Sequence, residues 1–172
     1  CPGIHFGKTL MSNMPDDPFT GRTLSTFVGK AANKQLFDNS QSGGIVSAIL
    51  VHALETGLIK GAVTAYMQAG TPPRPVVRIA RNKQQVIEAQ KSKYCPVPLL
   101  GFLQDLKKDD DLVAVVGVSC QIHGLINILD KYPKLKNKIA FTIGLVCDRV
   151  LSYSALNYLT YKAASKEKSK AN

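Results

Sequence analysis

An α/β fold is predicted, with a mixed, partly parallel sheet flanked by helices and preceded by an irregular N-terminal segment. Three features of the sequence carry that expectation. Leu112–Val118 (LVAVVGV) is a continuous β-branched apolar run, as strands buried in a parallel sheet tend to be. Ile139–Val146 is a second buried run, and a helical pattern over Gln121–Lys131 lies between them, giving the strand–helix–strand order of a βαβ unit. The length of 172 residues, with 45% hydrophobic and 20% charged, suits one globular domain rather than a disordered chain.

The elements follow in order. Residues 1–24 are irregular, broken by Pro2, Gly3, Pro15, Pro18 and Gly21. Thr26–Ala31 reads as a short strand. Gly43–Thr56 reads as a helix, apolar at Ile45, Ile49, Leu50 and Leu54 and closed by Gly57. Gly61–Met67 and Val76–Ala80 read as strands joined through the turn-rich Gly70-Thr71-Pro72-Pro73. A short helix is expected over Asn82–Ala89 with Asn82 as its cap, then a polar loop, Lys91 to Pro96, and a partly helical stretch over Val97–Lys107. After the βαβ unit, Ser152–Ala164 is the last helix, with a lysine-rich end expected to fray. The domain reading is therefore an irregular remnant over 1–24, an α/β domain over 25–165 and a basic tail over 166–172.

The 22 basic and 12 acidic residues give a net charge of +10, which favours anionic partners. Two runs hold much of the excess: Lys131, Lys134, Lys136 and Lys138 around a Tyr-Pro turn, and Lys162, Lys166, Lys168 and Lys170 at the C-terminus. Nucleic-acid binding would want Arg and exposed aromatics interleaved along one face, and neither run has them. No apolar run approaches the roughly 20 residues of a membrane span and no charged-then-apolar leader is seen, so a cytoplasmic protein without a span is expected. Cys1, Cys95, Cys120 and Cys147 are widely spaced, without the close pairs of a structural zinc site. Without a secretory signal they read as thiols or ligands before disulfides.

Two places concentrate chemistry. Ser40-Gln41-Ser42-Gly43-Gly44 runs straight into a helix, where open N–H groups can face a phosphate or an electron-rich ring edge with no side chain in the way. As an alternative, the same turn is a helix cap and nothing more. Cys120 and Cys147 each follow a buried strand, and each comes three residues after a glycine. Both then stand at the carboxyl edge of a parallel sheet, where open α/β folds bind ligands. Cys95-Pro96 and Cys1-Pro2 echo the Cys-Pro ending of bacterial ferredoxin motifs. His123, one turn after Cys120, is a satisfied helix-face histidine or a ligand, while His52 is structural and His5 uninterpretable.

In this order, Ser40 to Gly44 with its helix, Ser92-Lys93-Tyr94, Gly117-Val118-Ser119-Cys120-Gln121-Ile122-His123-Gly124 and Ile143-Gly144-Leu145-Val146-Cys147 resemble the coenzyme F420 hydrogenase/dehydrogenase beta-subunit family. The resemblance covers roughly residues 20–160. It departs at Ser119, where the family usually has proline, and at Val146, where it has an aromatic.

The resemblance implies a flavin- and iron–sulfur-dependent electron carrier. It holds FAD and a 4Fe-4S cluster, passes electrons to or from coenzyme F420, and works with redox partner subunits. By that similarity Ser42, Gly43 and Gly44 meet the flavin, and Ser92, Lys93 and Tyr94 line the same pocket. A lysine there would stabilise the anionic reduced ring. Cys120 and Cys147 would be cluster ligands, with Cys95 a third, and Cys1-Pro2-Gly3 looks like the tail of a ferredoxin-like segment, so the chain is expected to be a piece of a longer protein and inactive alone. Two other classes compete: a non-catalytic docking or scaffold subunit of a redox complex, and a thiol enzyme using Cys120 and His123.

Overall fold

The computed structural model describes residues 23–70, 72–106 and 111–170, with residues 166–170 described by backbone alone. One sheet organises it: β1 (Gly61–Gln68), β2 (Arg74–Ala80), β3 (Val113–Val118) and β4 (Ile139–Leu145), in the order β2-β1-β3-β4. β1 and β2 pair antiparallel, while β1/β3 and β3/β4 are parallel. The sheet is mixed and partly parallel, as predicted. Its helices are α1 (Lys34–Asp38), α2 (Ile45–Glu55), α3 (Lys83–Glu88), α4 (Leu103–Leu106, entered through a 3-10 turn at Leu99–Phe102), α5 (Ser119–Lys131), α6 (Pro133–Lys136) and α7 (Tyr153–Lys170).

Side chains alternate across the strands and build a core on each face. On one face Val63, Val113 and Val115 pack with Leu99, Phe102, Leu106, Leu125 and Leu129. On the other, Ala62, Ala80 and Ala114 pack with Leu50, Val51, Ala53 and Val86. Small side chains on that second face let α2 and α3 lie close to the strands. Among the described residues, no helix is long and apolar enough to cross a membrane.

Local signals fixed several boundaries. Asn82 caps α3, its side chain accepting from the Gln85 N–H at 3.0 Å. Gly57, in the left-handed region at φ 74°, follows α2 as its stop. Ser152 caps the start of α7, accepting from Ala155 N–H at 3.2 Å, and that helix runs to Lys170.

Four expectations are corrected. Thr26–Ala31 forms no strand: Phe27 and Val28 are exposed, and no strand among the described residues pairs with the segment. β4 is an edge strand, half-buried rather than buried, because β3 covers only one of its sides. In α2 the buried residues are Leu50, Val51 and Ala53, whereas Ile45 and Ile49 face outward. The helix after β3 begins at Ser119, two residues earlier than expected, so Cys120 sits inside its first turn. The predicted remnant over 1–24, with Cys1, Pro2 and Gly3, lies outside the described residues up to residue 22.

Candidate functional site

The ladder between β1 and β3 ends at Val63↔Val115, so the strands stop pairing where Thr64 and Ala65 follow. The chain also changes direction here, with β2 on one side of this pair and β4 on the other. A crevice at such a switch point, outside the carboxyl ends of parallel strands, is where open α/β sheets place ligands. A cavity of about 820 Å³ occupies it. That volume lies within the range of small-molecule and cofactor sites, about 300–1,000 Å³.

Three segments wall the cavity. The first is residues 40–47, the turn and the start of α2. Gly44 is the N-cap of α2 in the left-handed region (φ 71°), with no side-chain cap. Ala48 N–H to Gly44 O (3.0 Å) is the first bond of the helix, so the amides of Ile45, Val46 and Ser47 precede it and stay open among the described residues, in the cavity wall. Gly43 is pressed against the crossing segment Gly29–Ala31: its carbonyl accepts from Ala31 N–H (2.6 Å), and an added Cβ would stand 2.8 Å from Gly29 O.

The second wall is residues 89–95. Lys91 (φ 74°) and Tyr94 (φ 48°) both adopt the left-handed region, which non-glycine residues enter at a cost. Lys93 holds this conformation. Its ammonium donates to the carbonyls of Ala89 (3.0 Å), Gln90 (2.7 Å) and Lys91 (2.7 Å), capping the C-terminal end of α3 with a cation. Three donors meet three carbonyls, so Lys93 lines the cavity as the brace of its loop.

The third wall is residues 145–150, the chain leaving β4. Leu151 N–H donates to Tyr94 O (2.9 Å), and Tyr153 hydroxyl donates to Pro96 O (2.7 Å), tying this wall to the second.

The first two walls are joined by amides that sequence reasoning missed. Gln90 is buried; its Nε2 donates to Leu36 O (2.9 Å) and its Oε1 accepts from Asn39 Nδ2 (2.8 Å). Gln41 Oε1 accepts from Ser92 N–H. These contacts bridge about fifty positions of sequence, and no periodicity or spacing announces them. The five-residue helix α1, which presents Leu36 and Asn39, was also missed, although its cap at Asn33 and its Lys34–Asp38 ion pair were visible signals.

All six residues expected around the flavin (Ser42, Gly43, Gly44, Ser92, Lys93 and Tyr94) line this cavity, as do Cys95 and Cys147. Cys120 is not among the lining residues, although Val118 and Gln121 on either side of it are. Gln121 is held by its own contacts, accepting from Val118 N–H (3.1 Å) and donating to Val97 O (2.9 Å). His123 Nε2 lies 3.3 Å from Asn127 Nδ2 on the same helix, and His52 faces solvent on α2.

The thiols do not fit a cluster here. Cys95 is buried, Cys120 half-buried and Cys147 exposed, and among the described residues no three His, Cys, Asp or Glu side chains come together around a metal position. Burial pushes the Cys95 thiol up, with Arg74 and Lys93 opposing in part, so it stays protonated at neutral pH.

The Lys93 ammonium is pulled below its usual range, chiefly by burial. The unfolded chain, with its lysine near 10.5, therefore binds more protons in the window between the lowered value and 10.5. Stability from this group rises with pH through that window. Urea melts across it are expected to show a wild-type stability that climbs relative to Lys93→Met; parallel profiles would contradict the burial of this ammonium.

Family models described as coenzyme F420 hydrogenase/dehydrogenase, beta subunit, match the chain twice: the N-terminal one over residues 26–104 and the C-terminal one over residues 110–170. The chain is 29% identical over 152 residues to the coenzyme F420 hydrogenase subunit beta of Methanosarcina barkeri, covering 83% of this chain and 50% of that one. It is 29% identical over 140 residues to the coenzyme F420-dependent sulfite reductase of Methanocaldococcus jannaschii, covering 71% and 22%. A chain of the xenon-derivatised F420-reducing [NiFe] hydrogenase complex from Methanosarcina barkeri superposes with a TM-score of 0.68 at 28% identity, over 83% of this chain and 50% of that one. The chain thus spans about half the length of the beta subunits it matches.

Proposed function

Because the chain belongs to the coenzyme F420 hydrogenase/dehydrogenase beta-subunit family, we propose that it is a redox module that binds FAD in this cavity and exchanges electrons with coenzyme F420. The convergence of residues 40–47, 89–95 and 145–150 on one cavity at the sheet's switch point carries the reading. The lining fits the cofactor's chemistry. The open amides at the start of α2, together with Lys91 and Arg149, suit a diphosphate. The apolar lining residues Leu50, Val86, Leu99 and Val116 suit a flat ring and keep water from it.

What such a cofactor supplies is two-electron chemistry, which matches the two-electron deazaflavin. Gly43 and Gly44 let the turn close against Gly29–Ala31 and Leu36, which would set the amides at the start of α2 against the ligand. Ser92 and Tyr94 border it, and Lys93 positions their loop through its three carbonyl contacts. No step is assigned to Cys95, Cys120 or Cys147, since a 4Fe-4S cluster finds no ligand set among the described residues. Redox partner subunits and a cytoplasmic location belong to the same proposal; the partners are supported by the relative that sits in a hydrogenase complex.

Anaerobic incubation of the chain with FAD, followed by gel filtration, tests it. Flavin absorbance that co-elutes with the protein is the expected result. Flavin that washes away would leave the docking reading, which the exposed Tyr158, Leu159 and Tyr161 of α7 favour.

A further inference from the structure

The buried part of the cavity wall contains few polar groups, and nearly all of them are engaged. The Gln90 amide is bonded at both its oxygen and its nitrogen. The Cys95 thiol is a weak donor held protonated by burial. Thr64, on β1 just past the last β1–β3 pair, is the exception. It is only 5% exposed, and its Oγ1 makes no hydrogen bond among the described residues.

The polar neighbour on the same strand face is Tyr66, whose hydroxyl donates instead to Gln85 O (2.7 Å). Burial raises the pKa of that phenol, and the nearby Thr64 hydroxyl offsets part of the rise. By geometry the Thr64 Oγ1 makes no hydrogen bond to the phenol or to any other described residue.

An unsatisfied buried hydroxyl gives up its water contacts for nothing in return, and native structures seldom keep one. Valine would fill the same space on a strand at no such cost. A hydroxyl that both donates and accepts suits a ring edge carrying carbonyl and N–H groups side by side. The pyrimidinedione edge shared by flavin and deazaflavin has that character, and Leu50, Val86 and Val116 provide the apolar surround for its ring.

We propose that Thr64 is a specificity-determining residue, its hydroxyl the hydrogen-bond partner for the pyrimidinedione edge of a flavin or deazaflavin ring bound against the β1 wall. This rests on reading the cavity as a flavin-type site. It also orients the ligand: ring against the strands, phosphates towards the start of α2.

Wild type, Thr64→Val and Thr64→Ser chains would be titrated anaerobically with riboflavin, FAD, coenzyme F420 and ADP, with thermal melts of each ligand-free chain. Thr64→Val is expected to weaken riboflavin and FAD about five- to tenfold, the loss of roughly one hydrogen bond, and to shift the bound-flavin absorbance. ADP binding should not change, and the melting temperature should hold or rise. Thr64→Ser should restore ring binding. A loss seen with F420 and not with FAD supports the same contact with the deazaflavin as its source. Equal ring affinity in Thr64→Val and wild type overturns the inference, as does a parallel loss of ADP binding with a lowered melt. Wild type that binds no flavin or deazaflavin overturns the flavin-type reading itself, and this inference with it.

Discussion

Gly44→Val is expected to destabilise the chain by about 3 kcal/mol and to abolish FAD uptake. The left-handed backbone at φ 71° costs an L residue about 1–2 kcal/mol, and more when it is β-branched. Space is short as well. A Cβ at Gly44 would meet Leu36 O at 3.1 Å and the Ala31 Cβ at 3.3 Å, and valine's methyls would press further, adding about 1–3 kcal/mol of overpacking. Relief requires the turn to move, and the turn carries the open amides of α2. For a chain of this size the melting temperature should fall by about 6–12 °C, at about 2–4 °C per kcal/mol. Gly57→Val is the control. Gly57 has nearly the same φ (74°) at the other end of α2, with nothing within 4 Å of an added Cβ. It should lose only the backbone term and keep FAD affinity; equal loss of affinity in both variants would detach the turn from the site.

Gln90→Leu is the second large effect, expected to cost about 2–4 kcal/mol. The substitution keeps volume but removes both the donor to Leu36 O and the acceptor for Asn39 Nδ2. A buried donor or acceptor left unpaired costs about 1–3 kcal/mol, and two are exposed to that cost here. In Gln90→Leu, Asn39 Nδ2 retains its bond to Ile87 O (3.1 Å), so its share of the loss is the smaller one. The functional consequence follows from position: this network holds α1 and the 40–44 turn against the Lys91–Tyr94 loop. Loss of FAD affinity in Gln90→Leu should therefore exceed that in a core variant of similar destabilisation, such as Leu125→Ala on the opposite face of the sheet. Urea melts and FAD titrations on the two variants check this; equal affinities would show the network to be structural alone.

The parallel half of the fold was legible because Leu112–Val118 and Ile139–Val146 carry their strand signal within themselves, and Asn82 and Gly57 mark helix ends by local chemistry. Thr26–Ala31 opens with the β-forming Thr26, Phe27 and Val28 and still fails as a strand, because a strand exists only where a neighbour completes its hydrogen bonds. The edge position of β4 is likewise a property of sheet order, which no stretch of sequence contains. At the site, the glycine turn and the Ser92-Lys93-Tyr94 loop could each be picked out singly. What brings them together is Gln90 with Leu36 and Asn39, and Gln41 with Ser92, pairs too distant in sequence to be read from it. Side-chain direction was equally out of reach. Lys93 reads as a cation for a ring and turns instead into three carbonyls of its own loop. Cys120 stands after a strand, as Cys147 does, yet Cys147 lines the cavity and Cys120, inside a helical turn, does not.

Amide hydrogen exchange of the chain with and without FAD tests most directly whether one ligand touches all three walls. Added FAD should slow exchange together in residues 40–47, 89–95 and 145–150, and leave the lysine-rich turn at Lys131–Lys138, at the far end of α5, unchanged. Protection confined to that lysine turn, or to one wall alone, would contradict a shared flavin pocket.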